Sequence, residues 1–132
     1  MSENDTILIQ VLKTSFSLQL QWYRELLDLD RKMMSRLVLS RGDISGIVTG
    51  MENKNRLIDM IQMERDKTCT MVGLWEKRKN ELSNNDPDRV SFDEILEQIE
   101  STIREFLREE DLLKKYIDGI INKNPDSQNV VK

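Results

Sequence analysis

Histidine is absent from the 132 residues, and cysteine occurs once, at Cys69. The side chain that most often serves as general base or as partner to a nucleophile is therefore missing, and no intrachain disulfide can form. Cys/His metal cages are excluded with them, and no Asp-x-Asp-x-Asp-Gly loop offers a calcium site instead. Proline (2) and glycine (5) are scarce, and the aromatics are three Phe, two Tyr and two Trp. So few helix breakers predict long uninterrupted helices. No run approaches the roughly 18 apolar residues of a membrane span. The start Met1-Ser2-Glu3-Asn4-Asp5 lacks the basic opening of an export signal, so a cytoplasmic location is expected.

What is present is 38% apolar and 33% charged, dominated by residues that lose little on entering a helix. High charge with few aromatics leaves much of each helix facing water, which predicts an elongated, all-α single domain over residues 1–121. The expected architecture is two long antiparallel helices forming a hairpin plus a third amphipathic helix, a three-helix bundle with coiled-coil-like packing.

The first segment, about 5–41, carries Ile9, Leu12, Phe16, Leu20, Tyr23, Leu27, Met34 and Leu37 at spacings of mostly three and four. Asp30 falls where the next seam residue belongs. A partly exposed seam edge is the expectation there, and a register-setting polar contact is the alternative. Gly42-Asp43 marks the corner, with Gly42 in the left-handed conformation and Asp43 capping the next helix. The second segment, about 44–82, places Ile44, Val48, Met51, Ile58, Ile61, Val72, Trp75 and Leu82 on its stripe. Lys54, Asn55, Arg65 and Thr68 lie on or beside it, so the middle of the hairpin is expected to be thinly packed or laced with hydrogen bonds. Gly46 and Gly50 share one face, where the helix either frays or lets a neighbour approach. Trp75 is expected in the core and Cys69 as a small buried or edge residue.

Ser83 to Arg89, with Pro87, reads as a loop. Ser91-Phe92-Asp93-Glu94 forms a capping box that predicts the third helix over about 91–121. Its apolar line is Ile95, Ile99, Ile103, Phe106, Leu113, Ile117 and Ile120, widened by Leu96, Leu107 and Ile121. Residues 122–132 read as a disordered tail.

Charge is uneven. Residues 1–42 carry net +1, residues 43–82 are neutral and residues 83–132 carry −5, which together make the net charge of −4. Nucleic acid is not expected, since the one basic cluster, Lys77-Arg78-Lys79, sits between Glu76 and Glu81. The acidic third helix can repel wrong partners or steer a basic one. An enzyme working through paired carboxylates such as Glu109 and Glu110 needs a concave pocket that a slim bundle rarely offers, so no catalytic activity, cofactor or metal is expected. A bundle only three helices wide covers each stripe incompletely, and Met33, Met34, Met51, Met60, Met63 and Met71 include candidates for an adaptable surface.

Leu26-Leu27, then Ser40-Arg41-Gly42-Asp43-Ile44 at the corner, then Lys54, Leu57-Ile58, Ile61 and Glu64-Arg65 resemble the pattern of FlgN-type flagellar export chaperones. The resemblance covers most of residues 7–120. The three interior glycines and the capped third helix depart from it. It implies a protein partner: the amphipathic terminal helices of hook–filament junction proteins, kept unassembled before type III secretion. In that family the C-terminal part contacts the client. By analogy the partner-binding residues would be Ile99, Ile103, Phe106, Leu113, Ile117 and Ile120. The alternative is a structural or signalling coiled coil that self-associates, for example as a homodimer, through the same stripes.

Overall fold

The computed structural model describes residues 3–123, which form three long helices with no strand among them. Helix α1 (Glu3–Leu39) is followed by α2 (Ile47–Arg78), one 3-10 turn (Lys79–Glu81) and α3 (Pro87–Lys123). The register is visible in the contacts. Ser15 meets Glu64 and Asp30 meets Lys54, so α1 and α2 run antiparallel. Lys13–Asp88, Arg24–Gln98 and Arg31–Glu105 advance together, so α1 and α3 run parallel. At 1.5 Å per residue the longest helices reach about 55 Å. The all-α bundle read from composition is the one observed.

Helix α1 is the central element. It packs along both others, whereas the backbones of α2 and α3 stay apart and those two helices meet through side chains. The apolar core is concentrated at the two ends. At one end Ile9, Leu12, Trp75 and Phe92 are buried together with Phe16, Met71 and Leu96 against them. Phe92 is wedged edge-on between Phe16 and Trp75, with centroids 5.3 and 5.7 Å apart, an arrangement that suits the aromatic quadrupoles. At the other end Met33, Leu37 and Leu113 pack with Ile47, Tyr116, Ile117 and Ile120.

Between the ends lies a waist in which Leu20, Leu26, Leu27, Ile61 and Ile99 share the interior with Ser15, Gln19, Asp30, Lys54, Thr68 and Thr102. Most of this polarity is satisfied locally. Ser15 Oγ donates to Glu64 Oε1 (3.0 Å), Gln19 Nε2 to Ser15 Oγ (3.3 Å), Thr68 Oγ1 to the Glu64 carbonyl (3.0 Å) and Thr102 Oγ1 to the Gln98 carbonyl (2.7 Å). The hairpin centre is thus laced with hydrogen bonds.

Both joints differ from expectation. Helix α1 ends at Leu39, and both Arg41 (φ 58°) and Gly42 (φ 97°) are left-handed, with the Gly42 amide bonded back to the Leu37 carbonyl (2.8 Å). Asp43 does not cap α2. Its carboxylate accepts the Ser45 amide (2.9 Å) in a local turn, so α2 starts only at Ile47 after Gly46. The third helix starts at Pro87, not after Ser91. Asp86 Oδ1 accepts the amides of Asp88 (3.0 Å) and Arg89 (3.3 Å), and proline fits the first helical position because its missing N–H is not needed there. That aspartate–proline start overrides the capping box, which lies inside the helix. Arg89 Nη1 donates to the Lys79 and Leu82 carbonyls, both at 3.0 Å, and fixes the end of the preceding turn. Asn122 and Lys123 belong to α3, and the rest of the expected tail lies outside the described residues.

Candidate helix-binding surface

The buried positions of α2 are Gly50, Lys54, Ile61, Thr68 and Trp75. From Lys54 onward they are seven residues apart, which keeps them on one seam of a supercoiled helix. This seam contains a lysine and a threonine, while Ile44, Val48, Met51 and Ile58, expected to be core, are 46%, 65%, 52% and 43% exposed. At 100° per residue Met51 and Ile58 sit about 40–60° round the helix from Lys54. The helix is turned so that Gly50 and Lys54, rather than these apolar residues, face α1.

Two contacts hold that rotation. A Cβ on Gly50 would stand 2.7 Å from Met33 Sδ, so glycine lets the two helices close up there, whereas Gly46 and Gly73 have nothing within 4 Å. At the next turn the Lys54 ammonium lies 2.8 Å from Asp30 Oδ1 and also contacts Glu110 on α3, over the Phe106 ring at 5.9 Å from its centroid. Asp30 is therefore not a partly exposed seam edge. It is 0% exposed, and the polar contact raised as the alternative is the one present. The ammonium approaches off the hydrogen-bond axis, and neither carboxylate oxygen has an aligned hydrogen bond among the described residues.

One cation between two carboxylates gives the cluster a net negative charge in a region with little water. Burial, together with Glu110, raises the Asp30 pKa to about 6 against the pull of Lys54. The Lys54 pKa is also raised, since its two carboxylate partners outweigh the burial that alone would lower it. The cluster ties all three helices together and fixes the rotation of α2 relative to α1.

Lys54 and Glu110 also mark the seam between α2 and α3. Met51 and Ile58 lie three residues before and four after Lys54, hence beside it on the same face. They lie on the α3 side, because the clefts between α1 and α2 open on the opposite flank of α2 and include no residue of α3. On α3, Arg24 and Arg31 of α1 bond Gln98, Glu105 and Glu109 along one edge. The opposite edge, with Ile103, Leu107 and Ile121, therefore faces α2. Since α2 and α3 run antiparallel and Lys54 meets Glu110, Ile58 is level with Leu107 (58% exposed), and Ile121 (42% exposed) lies further along the same edge of α3. An ion pair on the floor and an apolar lip on each side form a seam that runs about two helical turns along α2, from Met51 to Ile58.

The six positions assigned by resemblance to partner binding lie toward the interior. Ile99 and Leu113 are buried, and Ile103, Phe106, Ile117 and Ile120 are half-buried. Leu113, Ile117 and Ile120 belong to the core at the corner end, and Ile120 lies 3.4 Å from the position of a Gly42 Cβ. The exposed apolar edge of α3 is displaced from this line to Leu107 and Ile121, residues the sequence marks only as its widening.

On the other flank, between α1 and α2, a cleft of about 850 Å³ runs past Met33, Leu37, Ile47 and Gly50, with Lys32, Arg36 and Asp43 on its rim. A second, of about 460 Å³, is lined by Val11, Leu18, Glu64 and Met71. Met51, Met60 and Met63 are exposed, Met34 and Met71 half-buried and Met33 buried. Cys69 is an exposed free thiol rather than a buried or edge residue. Among the described residues no cluster of acidic or thiol side chains could hold a metal ion, and no helix is long and apolar enough to cross a membrane. Comparison with known proteins gives no match: no family model, no curated protein and no solved structure corresponds to this chain.

Proposed function

We propose that this chain is a binding protein rather than an enzyme, a chaperone that covers the apolar face of a partner's amphipathic helix. The observation that carries this reading is the rotated packing of α2, which buries Gly50, Lys54 and Thr68 while leaving Val48, Met51 and Ile58 exposed. A helix whose only task was self-contained folding would gain by turning those apolar residues inward, each burial contributing about 1.5–3 kcal/mol. A helix from another chain laid over the seam would cover them and complete a four-helix arrangement. The resemblance to FlgN-type export chaperones supplies the class of client: the terminal helices of hook–filament junction proteins, which keep an apolar face uncovered until they polymerise. In this reading the contact falls on the exposed edge of α3, at Leu107 and Ile121 beside Ile103, more than on the residues already engaged with α1.

The test is co-expression of the full chain with terminal helices of such junction proteins, followed by gel filtration and light scattering. A co-eluting complex is expected. Failure of every junction helix to co-elute, with the chain running as a stable homodimer, would replace the chaperone by a self-associating coiled coil.

A further inference from the structure

We propose that Asp30, Lys54 and Glu110 form a proton-operated clasp between α2 and α3, closed while the two carboxyls share a proton and open once that proton has left. The clasp is a property of the free chain, so it goes beyond the helix-binding reading and does not depend on it. The joints between the helices are unequal. Helix α1 packs along both neighbours, while the backbones of α2 and α3 stay apart. Those two helices are held to each other by side chains. At the loop end Trp75 meets Phe92, and at the corner end Ile47 shares a cluster with Ile117 and Ile120. At the waist the tie is the Lys54 ammonium, which reaches Asp30 on α1 and Glu110 on α3, and no other ion pair joins α2 to α3 among the described residues. Apolar contacts at the two ends are indifferent to pH, whereas the tie at the waist is made of titratable groups.

Two carboxylates on one buried ammonium leave a net negative charge in surroundings that screen it poorly. Asp30 is 0% exposed and neither of its oxygens has an aligned hydrogen bond among the described residues, so its ionised form is short of donors. One proton removes both faults. The cluster becomes neutral, and the Asp30 O–H donates to Glu110, which links α1 to α3 while Lys54 binds both. The charged groups that face Asp30 are Lys54 from α2 and Glu110 from α3. On its own helix Arg31 is turned to Glu105 and Glu109, and Lys32 to Asp28. The rise of the Asp30 pKa to about 6 agrees with a proton held by the pair.

When the proton leaves, one carboxylate gives up the ammonium. The Asp30 side chain is 0% exposed and the Glu110 side chain 33% exposed, so Glu110 is the one that regains water by turning outward. Lys114, one turn further along α3, is exposed and without an ion pair among the described residues, and a Glu followed by Lys at this spacing forms a stabilising pair on a helix surface. Lys54 stays with Asp30. The rotation of α2 against α1 is therefore kept, and only the tie between α2 and α3 at the waist is lost.

The distance across the waist reads the clasp directly. In a Cys69→Ser background, spin labels at Asn55→Cys and Leu112→Cys occupy exposed, uncharged positions close in sequence to Lys54 and Glu110. Double electron–electron resonance on labelled chain diluted with unlabelled protein gives the distance within one molecule at about pH 5 and about pH 8, on either side of the transition. From the lower pH to the higher the mean should lengthen and the distribution broaden, with a midpoint at about 6 and unchanged circular dichroism. Asp30→Asn, whose amide stands in for the protonated carboxyl, should keep the short distance at both values. So should Glu110→Gln, at a partly exposed position that does not put folding at risk. A parent distance equal at both pH values, or one that shortens as pH rises, overturns the inference. So does a lengthening that survives in Glu110→Gln, because another group then titrates, or one accompanied by loss of helical signal, because the bundle is then unfolding rather than unclasping.

Discussion

Replacing Lys54 by methionine should convert the waist of the bundle from a paired cluster into an uncompensated one. Asp30 is completely buried and keeps a pKa of about 6 even with the ammonium 2.8 Å away. The rise from 3.8 corresponds to about 3 kcal/mol at 1.36 kcal/mol per unit. Because the folded-state value lies above the unfolded one, the native state holds a proton between about pH 4 and 6 that the unfolded chain has lost. Stability of the parent protein should therefore fall as pH rises through that window and level off above it. Lys54 acts in the opposite sense: its raised pKa makes a contribution that is fully present below 10.5 and disappears only as pH rises past its folded value.

Without the lysine, ionised Asp30 is left beside Glu110 with no cation. Removing one partner of a buried pair costs about 3–5 kcal/mol. Urea unfolding followed by circular dichroism should show Lys54→Met destabilised by that amount at pH 7.5. The deficit should shrink at pH 5, where Asp30 takes up a proton at lower cost. The double variant Asp30→Leu/Lys54→Met removes both buried charges and should recover most of the loss, since apolar replacement of buried pairs is often neutral or stabilising. If Lys54→Met matched the parent within about 0.5 kcal/mol at pH 7.5, Asp30 could not be a buried carboxylate held by Lys54, and the rotation assigned to α2 would be wrong.

Three further outcomes follow from the packing. Gly73→Ala, in open space, should raise stability by up to about 1 kcal/mol, while Gly50→Ala should gain less or lose a little, because its Cβ meets the flexible end of Met33 at 2.7 Å and that side chain must shift; thermal melts of the two variants check the contrast. Asp86→Ala should cost about 1 kcal/mol through loss of the α3 cap, and Ser91→Ala, now a mid-helix position, should change urea stability by less than about 0.5 kcal/mol. Phe92→Ala should cost about 3–5 kcal/mol in chemical unfolding, since the ring is 2% exposed and holds Phe16 and Trp75 together.

The number and kind of the helices were legible because helix propensity and apolar spacing act locally, and the scarcity of glycine and proline left few places for an end. The apolar line of α3 was legible too, since Ile99 and Leu113 are buried and Ile95, Ile103, Phe106, Ile117 and Ile120 half-buried where the spacing put them, whereas Phe92, the buried ring at the start of the helix, was read only as part of a cap. Rotation of α2 was not. Apolar spacing favoured Val48, Met51 and Ile58, but the register is fixed by Lys54 finding Asp30 and by Gly50 admitting Met33, contacts between residues 24 and 17 positions apart that periodicity within one helix cannot express. Lys54, Ile61, Thr68 and Trp75 do recur at intervals of seven, a signal hidden because two of the four are polar. The apolar seam has the same origin: once Lys54 turns inward, Met51 and Ile58 turn out toward the α3 side. The start of α3 was misplaced because two cap signals compete, and Asp86-Pro87 comes first in the chain.

Whether the seam takes up apolar surface from another chain is measured directly by isothermal titration of the full protein with a junction-protein terminal helix at several temperatures. One helix bound per chain with a negative heat-capacity change, the mark of buried apolar area, is the expected result. No binding heat at any temperature, or binding with no heat-capacity change, would contradict it.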